Sequence, residues 1–188
     1  MGLRRRRPVD RLPTLVATPF VLRGFRDGDL PAVREAAADP IVPRVSSVPS
    51  PYDDRAGREY LRAQQRRLRD GFGYSFAIAD QRDDRAIGSL GVWLRDLDRG
   101  RASVGYWVVP SARRRGAASA SLAAAARWAL TDLGVQRLEL YVEPWNEPSI
   151  RTAAAAGFVR EGLMRRWEAV AGERQDMWMF SLVRDDLG

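Results

Sequence analysis

The feature that most constrains this chain is a change of hydrophobic period between residues 101 and 142. Residues 101–109 read as a strand whose apolar run, Val104 to Val109, ends densely in Gly105-Tyr106-Trp107-Val108-Val109 and stops at Pro110. Beyond Arg113, Arg114, Arg115 and Gly116, apolar residues fall at Leu122, Ala126, Ala129, Leu130 and Leu133. Their offsets of 4, 7, 8 and 11 trace one face of a helix. Gly134 suits the end of that helix. Residues 135–142 then read as a strand through Val135, Leu138, Leu140 and Val142. A strand, a helix and a strand make a βαβ unit, whose two strands run parallel and side by side.

The turn between the first of these strands and the helix has its own chemistry. A glycine-containing turn that opens a helix leaves backbone N–H groups pointing outward, and the helix dipole adds partial positive charge. Arg113, Arg114 and Arg115 add fixed charge. The place suits a phosphate or pyrophosphate; a solvated basic turn accounts for the same residues.

The rest of the chain supplies a sheet around this unit. Residues 20–25 read as a strand, 30–38 as a short helix, and 40–52 as an irregular loop with four prolines. A helix capped by Asp53 or Asp54 runs to about residue 69. Residues 74–79, 86–94 and 101–109 are successive strands joined by short polar turns, an antiparallel meander. After the βαβ unit come a short helix over 149–156 and strands over 158–169 and 175–183. The expected fold is α/β (α+β): one mixed, mostly antiparallel, seven-stranded sheet with helices on both faces, strands four and five being the parallel pair.

Composition narrows the chemistry. The 188 residues fit one domain, read as 14–188 behind a disordered basic tail at 1–13. There is no cysteine, which excludes disulfides, thiolate metal sites and a cysteine nucleophile. There is no histidine, which removes the usual general base and the commonest metal ligand, and no metal is expected. Residues 1–11 hold five Arg and one Asp, so +4 of the formal +7 sits in the tail, a solvated end rather than a nucleic-acid site. No apolar run approaches the roughly 18 residues of a membrane span, and the start lacks a signal-peptide pattern. A cytoplasmic protein with no membrane or nucleic-acid partner is the expectation, and a homodimer is compatible with it.

This order of elements, with the anion turn after the fourth strand, resembles the GNAT superfamily of acyl-CoA-dependent N-acetyltransferases. Arg113-x-x-Gly116-x-Ala118 matches the family's Arg/Gln-x-x-Gly-x-Gly/Ala signature. Asn146-x-x-Ser149, followed by a short helix and Gly157-Phe158, matches its Asn-x-x-Ser/Ala element. Gly105-Tyr106-Trp107 and the run from Asn146 to Arg151 look like the RimJ/RimL-type branch, which acetylates N-terminal amines of ribosomal proteins. The resemblance covers roughly residues 15–184.

The resemblance implies acetyl-CoA as cosubstrate and a primary amine as acceptor. Its pyrophosphate would rest on Arg113, Arg114, Arg115, Gly116, Ala117, Ala118 and Ser119. Its pantetheine arm would pair with Trp107, Val108 and Val109, with Asn146 and Ser149 alongside, where strands four and five splay. An amide of the Val108–Val109 segment would face the developing oxyanion. Many members place a Tyr seven residues past the Asn to protonate the leaving thiolate; Ala153 stands there, which leaves Ser149 as candidate donor or as a plain helix cap. The strand-four carboxylate of many members is also missing, since Ser103 and Gly105 flank Val104. Glu143 is the nearest candidate base, or one side of a salt bridge, with Glu161 next, and Trp145 is a candidate for lining the acceptor site. The acceptor is a protein N-terminal amine or a small-molecule amine such as an antibiotic, a polyamine or an amino-acid-like compound. A non-catalytic acyl-CoA-binding module is the alternative.

Overall fold

The computed structural model describes residues 11–188, so most of the expected tail lies outside the described residues. In chain order the elements are strands β1 (Leu15–Ala17) and β2 (Phe20–Arg23), helices α1 (Leu30–Ala37), α2 (Val42–Val45) and α3 (Asp54–Arg66), strands β3 (Gly73–Asp80), β4 (Ala86–Trp93) and β5 (Arg101–Val108), helix α4 (Ala117–Thr131), strand β6 (Arg137–Val142), helix α5 (Glu147–Ala155) and strands β7 (Val159–Val170) and β8 (Glu173–Val183). All strands join one sheet in the order β1-β2-β3-β4-β5-β6-β8-β7. Every neighbouring pair is antiparallel except β5 and β6.

This is the mixed, mostly antiparallel sheet expected, with eight strands rather than seven. The extra one is β1, which folds back on β2 through Thr18-Pro19 and pairs Leu15 with Leu22. Three residues with Val16 turned outward carry too little alternation to read as a strand alone.

Strand β3 organises the layers. All of it is buried, so it must satisfy a helix on each face. Tyr74 and Phe76 point one way and meet Trp128 of α4 edge-on, with ring centroids 4.7 and 5.8 Å apart. Truncating such an indole to Ala costs about 3–5 kcal/mol. Ser75 points the other way and donates to Gln64 Oε1 of α3 at 2.7 Å. Large residues on one face and small ones on the other therefore set how closely each helix approaches.

The loop expected over 40–52 contains one helical turn, α2. Asp39 starts it: its Oδ1 accepts the N–H groups of Ile41 and Val42, both at 2.9 Å. Asp39 also binds Arg113 at 2.8 Å, tying α2 to the turn before α4. Among the described residues no helix is long and apolar enough to cross a membrane.

The decisive irregularity lies between β5 and β6. They pair only at Arg101↔Arg137, Ala102↔Leu138 and Ser103↔Glu139. Both strands run on, β5 to Val108 and β6 to Val142, without pairing again. The sheet is open from residue 104 onward on that edge of β5.

Candidate active site

Two cavities lie along β5. The first, a cleft of about 540 Å³, is lined by Tyr106, Trp107 and Val108 of β5, by Arg113, Arg114 and Gly116–Ser119 at the start of α4, by Asn146 and Ser149 of α5, and by Val42 and Val45 of α2. The second, a groove of about 920 Å³, is lined by Ala102–Gly105 of the same strand, by the end of α3, by Trp93, by Glu139 and Tyr141 of β6, and by Trp167 and Arg174 from the last hairpin. Val45 belongs to both walls.

The cleft offers backbone donors in two places. Val109 N–H donates to Ile87 C=O at 2.9 Å. Residues of an antiparallel pair alternate between bonding the partner and facing away, so Val108 and Tyr106 turn their N–H and C=O groups to the open side. Of the segment expected to present a free amide, Val108 is the residue that does so. Its carbonyl receives Arg113 Nε at 3.1 Å. The second place is the first turn of α4. Gly116 precedes it in the left-handed region at φ 79°, and no side chain caps the turn. The N–H groups of Ala117, Ala118 and Ser119 point out of the helix start, where an anion is favoured.

The three arginines of the turn have different surroundings. Arg113 is held by Asp39 and the Val108 carbonyl. Burial works against the Asp39 charge, but the amides of Val42 and Ile41 and the Arg113 guanidinium outweigh it, and its carboxyl lies below the usual range. Arg115 turns away, binding Asp80 at 2.7 Å and lying over the Phe20 ring; it does not line the cleft. Arg114, at φ 61° and exposed, has no ion pair among the described residues.

On α5 the cap is Asn146, whose side-chain oxygen accepts the Ser149 N–H at 3.3 Å. That relieves Ser149 of the capping role, and its hydroxyl is hydrogen-bonded to the Tyr106 phenol beside it. Tyr106, which sequence reasoning passed over as a motif residue only, reaches the same spot: its hydroxyl donates to the Ser149 carbonyl at 3.5 Å. Burial raises its phenol above the ordinary value, so it stays protonated.

The expected carboxylates sit elsewhere. Glu143 is buried, bound through Oε1 to Arg44 at 2.5 Å, and lines neither cavity. Glu161 pairs with both Nη atoms of Arg137 and accepts from Ser181; these bonds pull its carboxyl down to about 2, where it takes up no proton near neutrality. Trp145 is exposed beneath the Arg44 guanidinium, also outside both cavities. Of the carboxylates that line the groove, Glu139 is the buried one, with Arg137 Nε at 2.8 Å and the Tyr141 hydroxyl at 2.9 Å. Its signal was in the sequence: Arg137, Glu139, Tyr141 and Glu143 alternate with Leu138, Leu140 and Val142 along one strand.

A strand that leaves its parallel neighbour, a helix start aimed into the opening and an Asn-capped helix beside it line one cleft. The acetyltransferase (GNAT) domain model matches residues 20–159, and the chain belongs to this family of N-acetyltransferases. The chain is 28% identical over 173 residues to the uncharacterized N-acetyltransferase p20 of Bacillus licheniformis, covering 92% of this chain and 97% of that protein. Among solved structures it resembles RimJ of Mycobacterium smegmatis in complex with CoA-disulfide, at 26% identity and TM-score 0.76, over 94% of this chain and 88% of that one. It shares the fold of the ribosomal-protein-S5-alanine acetyltransferase from Vibrio fischeri, at 18% identity and TM-score 0.70, over 94% and 99% of the two chains. The neighbours agree with the RimJ/RimL-like branch.

Proposed function

We propose that the chain transfers the acetyl group of acetyl-CoA to a primary amine, the N-terminal amine of a protein or peptide, by direct attack with both substrates bound. The observation that carries this reading is the sharing of β5: Ala102–Gly105 line the groove and Tyr106–Val108 line the cleft. An acyl donor lying along the second half of the strand meets an amine arriving along the first half. Holding two reactants in line in this way accounts for much of the barrier reduction in bimolecular transfers.

The residues divide the work. The α4 amides of Ala117, Ala118 and Ser119, with Arg114, hold the pyrophosphate. The open edge of β5 pairs with the amide-bearing arm, and Trp107 and Asn146 shape its path. The Val108 N–H stabilises the oxyanion that forms when the amine nitrogen attacks the thioester carbonyl. The carbon–sulfur bond then breaks, and the thiolate, hydrogen-bonded by the Ser149 hydroxyl, takes a proton passed through that hydroxyl, which regains its own from water, with the Tyr106 phenol next to it as a second donor. The nitrogen releases its proton to water in the open groove. Glu143 keeps Arg44, and through it α2, in place as the shared wall. The acetyl-CoA dependence fits a cytoplasmic setting.

The test is amine-dependent release of CoA thiol by the full chain. Release with N-terminal amines of peptides, above that with water alone, supports the reading. Saturable acetyl-CoA binding with no release for any peptide, polyamine or aminoglycoside would make the chain a binding module instead.

A further inference from the structure

The groove carries an unneutralised charge that acetyl transfer as such does not require. Its wall holds Arg66, Arg67, Arg95 and Arg174, and none of them forms an ion pair with a described residue. Of the wall's four carboxylates, exposed Glu168 forms no ion pair with a described residue, and the other three are compensated from outside the wall. Glu139 is paired with Arg137 at 2.8 Å and Arg101 at 3.5 Å, Asp96 with Arg101 at 3.5 Å, and Asp70 with Arg69 at 3.6 Å. With Arg69, Arg101 and Arg137 behind the wall, the arginines outweigh the carboxylates and the groove is net positive.

One of these arginines is built into place. Gly91 and Gly105 are paired across β4 and β5. The Trp93 indole lies over them: a Cβ on Gly91 would come within 2.4 Å of its ring, and one on Gly105 within 3.8 Å of its Nε1. The Arg67 guanidinium stacks on the other side of the ring, 4.3 Å from its centroid. Its Nη2 donates to Ser47 Oγ at 3.0 Å, which fixes the plane. Burial lowers its proton affinity below the ordinary guanidinium value, as for a cation with no carboxylate beside it. A pre-oriented guanidinium with free donors matches a carboxylate or phosphate.

Resting on the acetyl-transfer reading above, we infer that the groove selects an amine carrying its own anionic group, which the Trp93-backed Arg67, with Arg174 and Arg95 opposite, receives while the amine reaches β5. Polyamines are excluded by the same charges. An acidic peptide N-terminus and a small amino-acid-like molecule share this chemistry.

The test is calorimetric titration of the full chain, with and without saturating CoA, using matched pairs. One pair is the peptide Ser-Asp-Glu-Ala-amide and its neutral counterpart Ser-Asn-Gln-Ala-amide; the other is glutamate and glutaminamide, which has no carboxylate. The acidic member of at least one pair is expected to bind about tenfold or more tighter, the scale of one guanidinium–carboxylate contact. Separation in the peptide pair alone identifies a peptide acceptor, and separation in the amino-acid pair alone a small one. Arg67→Leu is expected to erase the difference and Arg67→Lys to keep part of it, which a packing role alone would not produce. Equal affinities within both pairs, a preference for the neutral members, or an Arg67→Leu protein that keeps the preference would overturn the inference. The CoA titration reads the donor site separately: if CoA fails to bind while the acidic ligands discriminate, it is the donor reading that falls.

Discussion

The side-chain oxygen of Asn146 accepts the backbone N–H of Ser149, and this bond spares the Ser149 hydroxyl the capping role. Had Ser149 been the cap, its oxygen would have been committed to the helix start. With Asn146 in that position, one residue stabilises α5 and the other faces the cleft.

The two substitutions should therefore separate. Asn146→Ala removes a cap and is expected to cost about 1 kcal/mol of stability in a denaturant titration. Ser149→Ala removes no cap, only the hydrogen bond to the Tyr106 phenol, and should change stability by less than Asn146→Ala does. It should lower kcat about tenfold or more while leaving the KM for acetyl-CoA near its original value. Adding Tyr106→Phe to Ser149→Ala should lower kcat further, because the phenol stands next to the lost hydroxyl. A double variant no slower than Ser149→Ala would remove Tyr106 from the mechanism.

The arginines of the turn should separate as well. Arg114→Ala leaves every described ion pair intact and should weaken acetyl-CoA binding without moving Tm. Arg115→Ala strips Asp80 of one of its two guanidinium partners, the other being Arg82. It should lower Tm and leave acetyl-CoA affinity almost unchanged. Thermal melts with and without acetyl-CoA measure both effects.

Gly91→Ala drives a methyl into the Trp93 ring, whose ζ2 carbon would lie 2.4 Å away. Overpacking of this kind costs about 1–3 kcal/mol. The displaced indole withdraws its support from Arg67, so KM for the amine should rise while acetyl-CoA affinity holds. Steady-state kinetics with each substrate varied in turn distinguishes the two.

Glu161 contributes a defined acid sensitivity. Its carboxyl is pulled from 4.5 down to about 2, first by the hydrogen bonds from Arg137 and then by the Ser181 hydroxyl. A depressed folded-state value means the unfolded chain binds the proton more readily. The contribution is full above the unfolded value and is lost as pH falls from about 4.5 to about 2. Tm of Glu161→Gln should accordingly depend less on pH across that window than Tm of the parent protein.

Much of this architecture was legible in the chain because its signals are local. The shift from strand period to helix period around Gly116 marked the βαβ unit, and Asn146-x-x-Ser149 marked the start of α5. The short strand β1 was not legible, since pairing rather than pattern makes it a strand. The one-turn helix α2 was hidden among prolines, because its cap at Asp39 also serves Arg113, a partner far along the chain. The partners of the carboxylates were not legible for the same reason. Sequence order puts Glu143 at the strand end, but whether it faces a cavity depends on Arg44, 99 residues away. Trp93 and Arg67 lie on different elements and meet only over the floor made by Gly91 and Gly105.

The most direct measurement is the calorimetric titration of acetyl-CoA into the full chain and into Gly116→Glu. The wild-type chain should bind one equivalent saturably. The variant places a carboxylate at the α4 start and an ordinary side chain at φ 79°, and should lose about a hundredfold or more in affinity. Far-ultraviolet circular dichroism confirms that the variant is folded. A folded Gly116→Glu protein with undiminished affinity, or a wild-type chain that does not bind acetyl-CoA, would contradict the assignment of the β5 opening and the α4 start as the donor site.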